Sequence, residues 1–83
     1  MFENESLDLH GLSRERALHE LDLWLNQIFL LDVREARVVC GWGRGIILAV
    51  VEAELSRHPL VESYRVDGAG FALVIAARAE DGL

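Results

Sequence analysis

Two short segments of the sequence contain residues that could catalyse a reaction or bind a ligand. The first places Asp8 and His10 two positions apart, and the second is the glycine-rich run Gly41-Trp42-Gly43-Arg44-Gly45. A carboxylate beside an imidazole can orient the ring and make it a general acid or base near neutral pH. In the structural alternative, which the spacing alone slightly favours, Asp8 caps a loop and His10 is an ordinary histidine at the end of a strand.

The alternating glycines of residues 41–45 predict a tight turn whose backbone N–H groups face outward. Because a helix is predicted to begin directly afterwards, the unpaired N–H groups of its first turn would join them, and such a place typically binds an anion, most often phosphate. Arg44 adds a cation, and an exposed Trp42 can stack on a nucleobase. Two simpler interpretations stay open, in which the glycines only permit the turn and Trp42 folds back onto the core.

The secondary-structure elements around these segments follow the order β-α-β-α-β-β. Periodicity and turn residues predict strands at 6–10, 36–40, 61–66 and 71–77, and helices from Ser13 to about Leu31 and from Ile46 to about Arg57. Two strand-helix-strand crossovers imply a largely parallel sheet, to which the last hairpin adds an antiparallel strand. The fold class is a two-layer α/β domain with a mixed four-stranded sheet, in which the most apolar strand, 71–77, lies centrally.

The first two strands, if they are parallel neighbours, bring the two segments together. In open α/β sheets, ligands collect at the carboxyl ends of the strands, where loops and helix N-termini converge. Asp8 and His10 would share one face of the first strand, and the glycine run follows the second. Cys40, directly before the glycines, is predicted to be buried rather than reactive, and His58 is predicted only to pack at the helix end beside Pro59.

The composition limits the classes of protein that the chain could be. Its 83 residues make one small domain, and 52% hydrophobic with 27% charged residues excludes a disordered chain. A net charge of −6 argues against a nucleic-acid partner but does not exclude one. All eight basic residues are arginines, whose side chains can form two parallel hydrogen bonds with a phosphate. The lone cysteine and the absence of a signal peptide or an apolar run of roughly 20 residues predict a cytoplasmic protein without membrane contact.

The motifs together resemble the Smr (small MutS-related) domain. The resemblance rests on Leu7-Asp8-Leu9-His10-Gly11, the long first helix, the G-x-G-x-G turn and Arg57-His58-Pro59-Leu60-Val61, and it extends from about Ser6 to Ala77. It implies a fold similar to the C-terminal domain of translation initiation factor 3 and a nucleic-acid-binding module, which in several members is an endonuclease that nicks DNA or cleaves RNA. It assigns Asp8 and His10 to the family's proposed cleavage motif and places the three glycines of residues 41–45 against the nucleic-acid backbone.

Several positions depart from the family's pattern. The family often has a histidine before the first glycine, a lysine or arginine after it and a threonine in the loop, where this chain has Cys40, Trp42 and Arg44. The usual Leu-Arg pair after the third glycine is replaced by Ile46-Ile47. Because a thiol is a poorer proton donor than histidine, these departures weaken the case for cleavage more than the case for binding, while Arg44 restores some positive charge.

Three functions follow from the sequence, of which an endonuclease acting on DNA or RNA is favoured. In that function Arg44 offsets charge on the phosphorane and His10, oriented by Asp8, moves the proton. The second is a non-catalytic module that holds nucleic acid for a MutS-like DNA repair or recombination protein. The third is a protein-interaction domain that uses apolar surface around Trp24, Phe29 and Trp42.

The cofactor and the domain limits are less specified. A divalent metal ion held through Asp8 is an alternative to metal-free chemistry, although one carboxylate makes a poor site for a hard cation. Residues 6–78 are expected to form the single Smr-like domain, with flexible ends at 1–5 and 79–83. The acidic start and the abrupt end of the chain suggest a domain excised from a longer MutS-like protein.

Overall fold

A computed structural model of the chain describes residues 5–78. Its elements are β1 (Glu5–Asp8), α1 (Arg14–Leu30), β2 (Glu35–Val39), α2 (Ile46–Leu55), β3 (Val61–Asp67) and β4 (Gly70–Ile75), and the strands form one sheet in the order β1-β2-β4-β3. The predicted element order, the mixed four-stranded sheet and the central place of the last strand are confirmed. The predicted flexible ends lie outside the described residues, except for Glu5, which begins β1.

One pair of strands in the described sheet is parallel and two are antiparallel, so the prediction of a largely parallel sheet is wrong. β1 and β2 pair in parallel, whereas β4 is antiparallel to both β2 and β3. β1, β2 and β3 do run in the same direction, as two crossovers require, but β4 lies between β2 and β3. Phe71, Leu73 and Ile75 of β4 are buried, and the central position removes this apolar surface from water.

One face of the sheet carries the core and the other is open. In β2, Ala36 and Val38 are buried while Arg37 between them is exposed. The core joins this face of the sheet to both helices, and its largest fully buried side chains include Phe71, Leu9, Leu21, Leu25 and Leu55. β2 is therefore half-buried rather than buried throughout, because the helices cover only one face of the sheet.

The helix ends follow the local sequence. Ser13 caps α1, since its Oγ accepts a hydrogen bond from the backbone N–H of Arg16 at 3.1 Å. His58 packs beyond the end of α2, as predicted, and its Nδ1 accepts a hydrogen bond from the N–H of Leu60 at 3.2 Å. The other ring nitrogen, Nε2, therefore donates to Asp22 Oδ1 of α1 at 2.9 Å, a partner that the sequence did not indicate. Neither helix in the described part of the chain is long and apolar enough to cross a membrane.

Candidate nucleic-acid interface

Asp8 and His10 form a hydrogen-bonded pair on the surface. One carboxylate oxygen, Asp8 Oδ1, accepts from the backbone N–H of His10 at 3.1 Å and lies 2.7 Å from the ring nitrogen Nδ1 of the same residue. These hydrogen bonds lower the pKa of the Asp8 carboxyl, which is therefore an anion at neutral pH. An ionised carboxylate can only accept, so Nδ1 carries the proton and Nε2 is left to act on a ligand. Both side chains are exposed to solvent.

The pair joins the end of the first strand to the turn after it. Asp8 is the last residue of β1, on the strand as predicted, whereas His10 lies in the turn that leads to α1 and not on the strand. Between them, Leu9 is fully buried, and its N–H donates to the carbonyl of Val39 at 2.7 Å. This anchor continues the contact between the first two strands past the end of β1, and it sets His10 beside the end of β2.

The glycine run begins against His10. Gly41 has a φ of +88°, and a Cβ built at this position would lie 2.9 Å from the Cβ of His10. The N–H groups of Cys40 and Gly41 both donate to the carbonyl of Ala69, at 2.8 and 3.1 Å, so the turn between β3 and β4 fixes the start of the run. The two segments predicted to meet at the carboxyl edge of the sheet are therefore in contact.

The N-terminus of α2 directly follows the glycine run. Gly45 is its N-cap, with a φ of +80°, and has no side chain to satisfy the first-turn donors. The first intrahelical hydrogen bond of the helix runs from the N–H of Ala49 to the carbonyl of Gly45, at 3.0 Å. The N–H groups of residues 46–48 precede it and lack an intrahelical acceptor, and the helix dipole makes this end positive. These are the groups that bind an anion at a helix N-terminus.

An open depression of about 400 Å³ lies between the two segments. Its lining includes His10 but not Asp8, so the imidazole borders the depression and the carboxylate lies outside it. The rest of the lining is formed by Gly11, Leu12 and every residue from Cys40 to Ile47. The depression thus combines an imidazole, backbone N–H donors and the cation Arg44.

Three side chains of the run have different surroundings. Trp42 is 77% exposed, so a folded-back packing role for it is wrong. Arg44 is exposed and makes no ion pair with the residues that the structure describes. Cys40 is buried, as predicted, and burial raises the pKa of its thiol to about 11. A buried thiol of this pKa is a poor proton donor at neutral pH.

A larger depression, about 740 Å³, lies on the open face of the sheet. Its lining is mixed in charge, with Glu5 and Glu35 beside Arg37 and Arg65. Arg37 is also neutralised by Asp67, at 3.0 Å. Size alone would favour this surface, but its acidic side chains repel phosphate and it has no helix N-terminus. The smaller depression is the better candidate site.

The donor set around His10 is small. Among residues 5–78, no group of three or more histidine, cysteine or carboxylate side chains is placed to hold a metal ion. Asp8 uses one carboxylate oxygen on His10, and a single carboxylate is a weak ligand set for Mg²⁺.

The fold and the site define a small α/β domain with an imidazole beside an uncapped helix N-terminus, and comparison with known proteins gives its family. The chain belongs to the Smr domain family, whose model matches residues 7–74. The endonuclease MutS2 of Clostridium beijerinckii is 34% identical over 64 residues, which are 77% of this chain and 8% of that protein. The endonuclease MutS2 of Halothermothrix orenii is 34% identical over 61 residues, 74% of this chain and again 8% of the relative.

A solved structure agrees with the sequence relatives. The crystal structure of the Smr domain of Thermus thermophilus MutS2 matches with a TM-score of 0.80 and 29% identity, over 90% of this chain and 99% of that one. The family resemblance and the fold class are confirmed. The chain spans about 8% of the length of the curated relatives quoted above.

Sequence reasoning missed one of the residues that support the site, Ala69. Ala69 accepts the two hydrogen bonds that fix the start of the glycine run, and Gly11, with a φ of +80°, turns the chain after His10. Gly11 was visible in the sequence as the break after the first strand. No residue pattern marks Ala69, because its role comes from a backbone carbonyl that the β3–β4 turn brings across the sheet.

Proposed function

We propose that this domain binds nucleic acid by seating a phosphate in the depression, and that it is an endonuclease in which His10 transfers the proton. The observation that carries the proposal is the contact between Gly41 and His10, which sets the imidazole beside the N-terminus of α2. The curated relatives quoted above are named endonuclease MutS2. The proposal extends that activity to this chain, as an activity on DNA or RNA.

Binding depends on few charges. The N–H groups of residues 46–48 and the positive end of the helix dipole would hold the phosphate oxygens, with Arg44 as the neighbouring cation. The glycines of residues 41–45 leave the backbone accessible, and a Cβ built at Gly43 would meet no atom within 4 Å. A chain with a net charge of −6 thus keeps a local site for an anion.

Cleavage needs a base, stabilisation of the phosphorane and a proton for the leaving oxygen. Asp8 holds Nδ1 of His10, so Nε2 can take the proton of an attacking water. Arg44 and the N–H groups of the helix N-terminus would stabilise the charge that develops on the phosphorane. Since Cys40 is buried with its pKa raised to about 11, the leaving oxygen takes its proton from solvent, and we expect slow nicking.

A second candidate is a non-catalytic module that holds nucleic acid for a MutS-like repair or recombination protein. The buried Cys40 in place of the histidine favours it. The third function was a protein-interaction surface around Trp24, Phe29 and Trp42. Trp24 is buried and therefore cannot contribute to such a surface.

The setting that we propose is a longer MutS-like protein in the cytoplasm. The relatives are far longer than this chain, which covers 8% of their length. A lone buried cysteine suits a reducing compartment.

The experiment that tests cleavage is a nicking assay on supercoiled plasmid, with the parent protein, His10→Ala and the control His19→Ala. His19 is exposed on α1, outside the lining of the depression. We expect nicking by the parent and His19→Ala and at least a tenfold slower rate for His10→Ala. A His10→Ala protein that nicks at the parental rate contradicts the catalytic role. If no protein nicks but all bind strands with salt-dependent affinity, the second candidate holds.

A further inference from the structure

Two exposed apolar residues line the depression and are together called the apolar shelf. It consists of Trp42, 77% exposed, and Ile46, 52% exposed, and both side chains belong to residues that line the depression. The shelf therefore adjoins Arg44, His10 and the N-terminus of α2. A ligand that contacts all of these groups must carry an anionic group with a flat apolar group next to it. A nucleotide has both.

We propose that the shelf is a stacking subsite for an unpaired nucleobase, with Trp42 as the platform, so that this domain prefers single-stranded or frayed nucleic acid to an intact duplex. The inference rests on the proposed function, because the seated phosphate is what brings the base to the indole. It adds the substrate class, namely strands whose bases are free.

The surroundings of Trp42 suit an incoming base. The neighbouring positions 41 and 43 are glycines, which carry no side chain, and the indole is largely exposed, so a base can approach it. In a duplex each base is stacked between its neighbours, whereas an unpaired base exposes both faces. Stacking on an aromatic side chain is tolerant of sequence and strengthens binding by about five- to a hundredfold per base.

The charges of the chain also favour an unpaired strand over a duplex. Duplex binders rely on several cations that each neutralise a phosphate. Among the ion pairs within residues 5–78, four of the eight arginines are paired with carboxylates, namely Arg16, Arg34, Arg37 and Arg57. Of the arginines, only Arg44 lines the depression. With weak long-range attraction to a duplex, stacking must supply much of the affinity, and only an unpaired base can provide it.

The test compares three fluorescein-labelled 12-mers by anisotropy: a thymidine strand, an abasic strand of the same length, and a duplex containing the thymidine strand. The abasic strand keeps the phosphates and lacks the bases. We expect the parent to bind the thymidine strand about tenfold more tightly than either of the others. Trp42→Ala should lower that affinity to the abasic level and leave abasic binding unchanged, while Trp42→Phe keeps part of the preference. The control Leu23→Ala, at another exposed apolar residue, should keep all of it.

A second readout uses the indole itself. Trp24 is buried and its Nε1 has no hydrogen-bond partner within the described structure, so Trp24→Phe should be tolerated and leaves Trp42 as the remaining tryptophan, whose emission can be excited selectively. The thymidine strand should then quench the emission and the abasic strand should not. Equal affinity for the thymidine and abasic strands, tighter binding of the duplex, or indifference to Trp42→Ala would each overturn the subsite and leave the phosphate seat standing. Absence of salt-dependent binding to all three probes would overturn the proposed function together with the subsite.

Discussion

A side chain at Gly41 would collide with His10. A Cβ at position 41 would lie 2.9 Å from the Cβ of His10, and the φ of +88° at Gly41 is one that side chains rarely adopt. The glycine therefore permits the turn after β2 and also leaves room for the histidine that stands beside it. Because position 41 has no side chain, the ends of β1 and β2 can lie close enough together to form one site.

The first prediction concerns this contact. Gly41→Ala should lower the free energy of unfolding, measured in urea, by about 1–3 kcal/mol, because it adds left-handed strain and displaces His10. Gly43→Ala is the matched control, since its Cβ would meet no atom within 4 Å, and it should change stability by less than about 0.5 kcal/mol. Equal effects of the two substitutions would show that Gly41 has no special contact.

The second prediction concerns the titration of Asp8. Its carboxyl should titrate below the ordinary value of 3.8, because the ring and the backbone N–H of His10 donate to the carboxylate and lower its pKa. A lowered pKa in the folded state means that this interaction stabilises the protein above pH 3.8 and is lost as the pH falls through the folded-state pKa. Carboxyl ¹³C shifts measured against pH give the midpoint directly.

Two variants accompany that titration. His10→Ala should return the midpoint of Asp8 toward 3.8, and His19→Ala should leave it at the parental position. A parental midpoint at or above 3.8 would mean that the Asp8–His10 hydrogen bonds do not form in solution.

The third prediction concerns the thiol of Cys40. Burial raises its pKa from 9.0 to about 11, so at pH 8 the thiolate fraction is about a hundredfold smaller than that of an ordinary cysteine. A disulfide reagent such as dithiobis(nitrobenzoic acid) should label the native protein at least about a hundredfold more slowly than the protein unfolded in guanidinium. Rapid labelling of the folded protein would show that Cys40 is accessible, and would reopen it as a proton donor.

The fourth prediction separates Arg44 from the other arginines. Arg44→Ala should weaken binding to a thymidine strand and reduce the magnitude of the slope of log K against log salt by about 0.7. Arg57→Ala is the control, because Arg57 is paired with Glu54 at the other end of α2, and it should leave the slope unchanged. An unchanged slope with Arg44→Ala would place the phosphate contacts elsewhere on the domain.

The sequence predicted the elements and the neighbourhood of the site well, because both depend on local patterns. Ser13 marked the start of α1, and the alternation of Leu7 and Leu9 with Asp8 and His10 indicated which side chains face outward. The glycine run predicted a turn before a helix. These are properties of a few adjacent residues, and the family resemblance reinforced them.

What the sequence did not predict depends on contacts across the sheet. The apolar residues of β4 predicted its central place, but not that it separates β2 from β3 and pairs antiparallel with both, which no crossover rule specifies. The exposure of Trp42 was undecided, because a tryptophan between glycines can point either way, and the open space beside Gly43 is visible only in three dimensions. The bond from His58 to Asp22 joins residues 36 positions apart.

A ¹H–¹⁵N titration of the chain with a thymidine dinucleotide locates the phosphate site residue by residue, because its single phosphodiester is the smallest version of the proposed ligand. We expect the largest amide shifts on His10 and on residues 42–47, which line one depression. Gly41→Ala should abolish these shifts. Largest shifts on the open face of the sheet, at Ser6, Arg37 and Arg65, or no localised shifts at millimolar dinucleotide, would contradict a phosphate site in this depression.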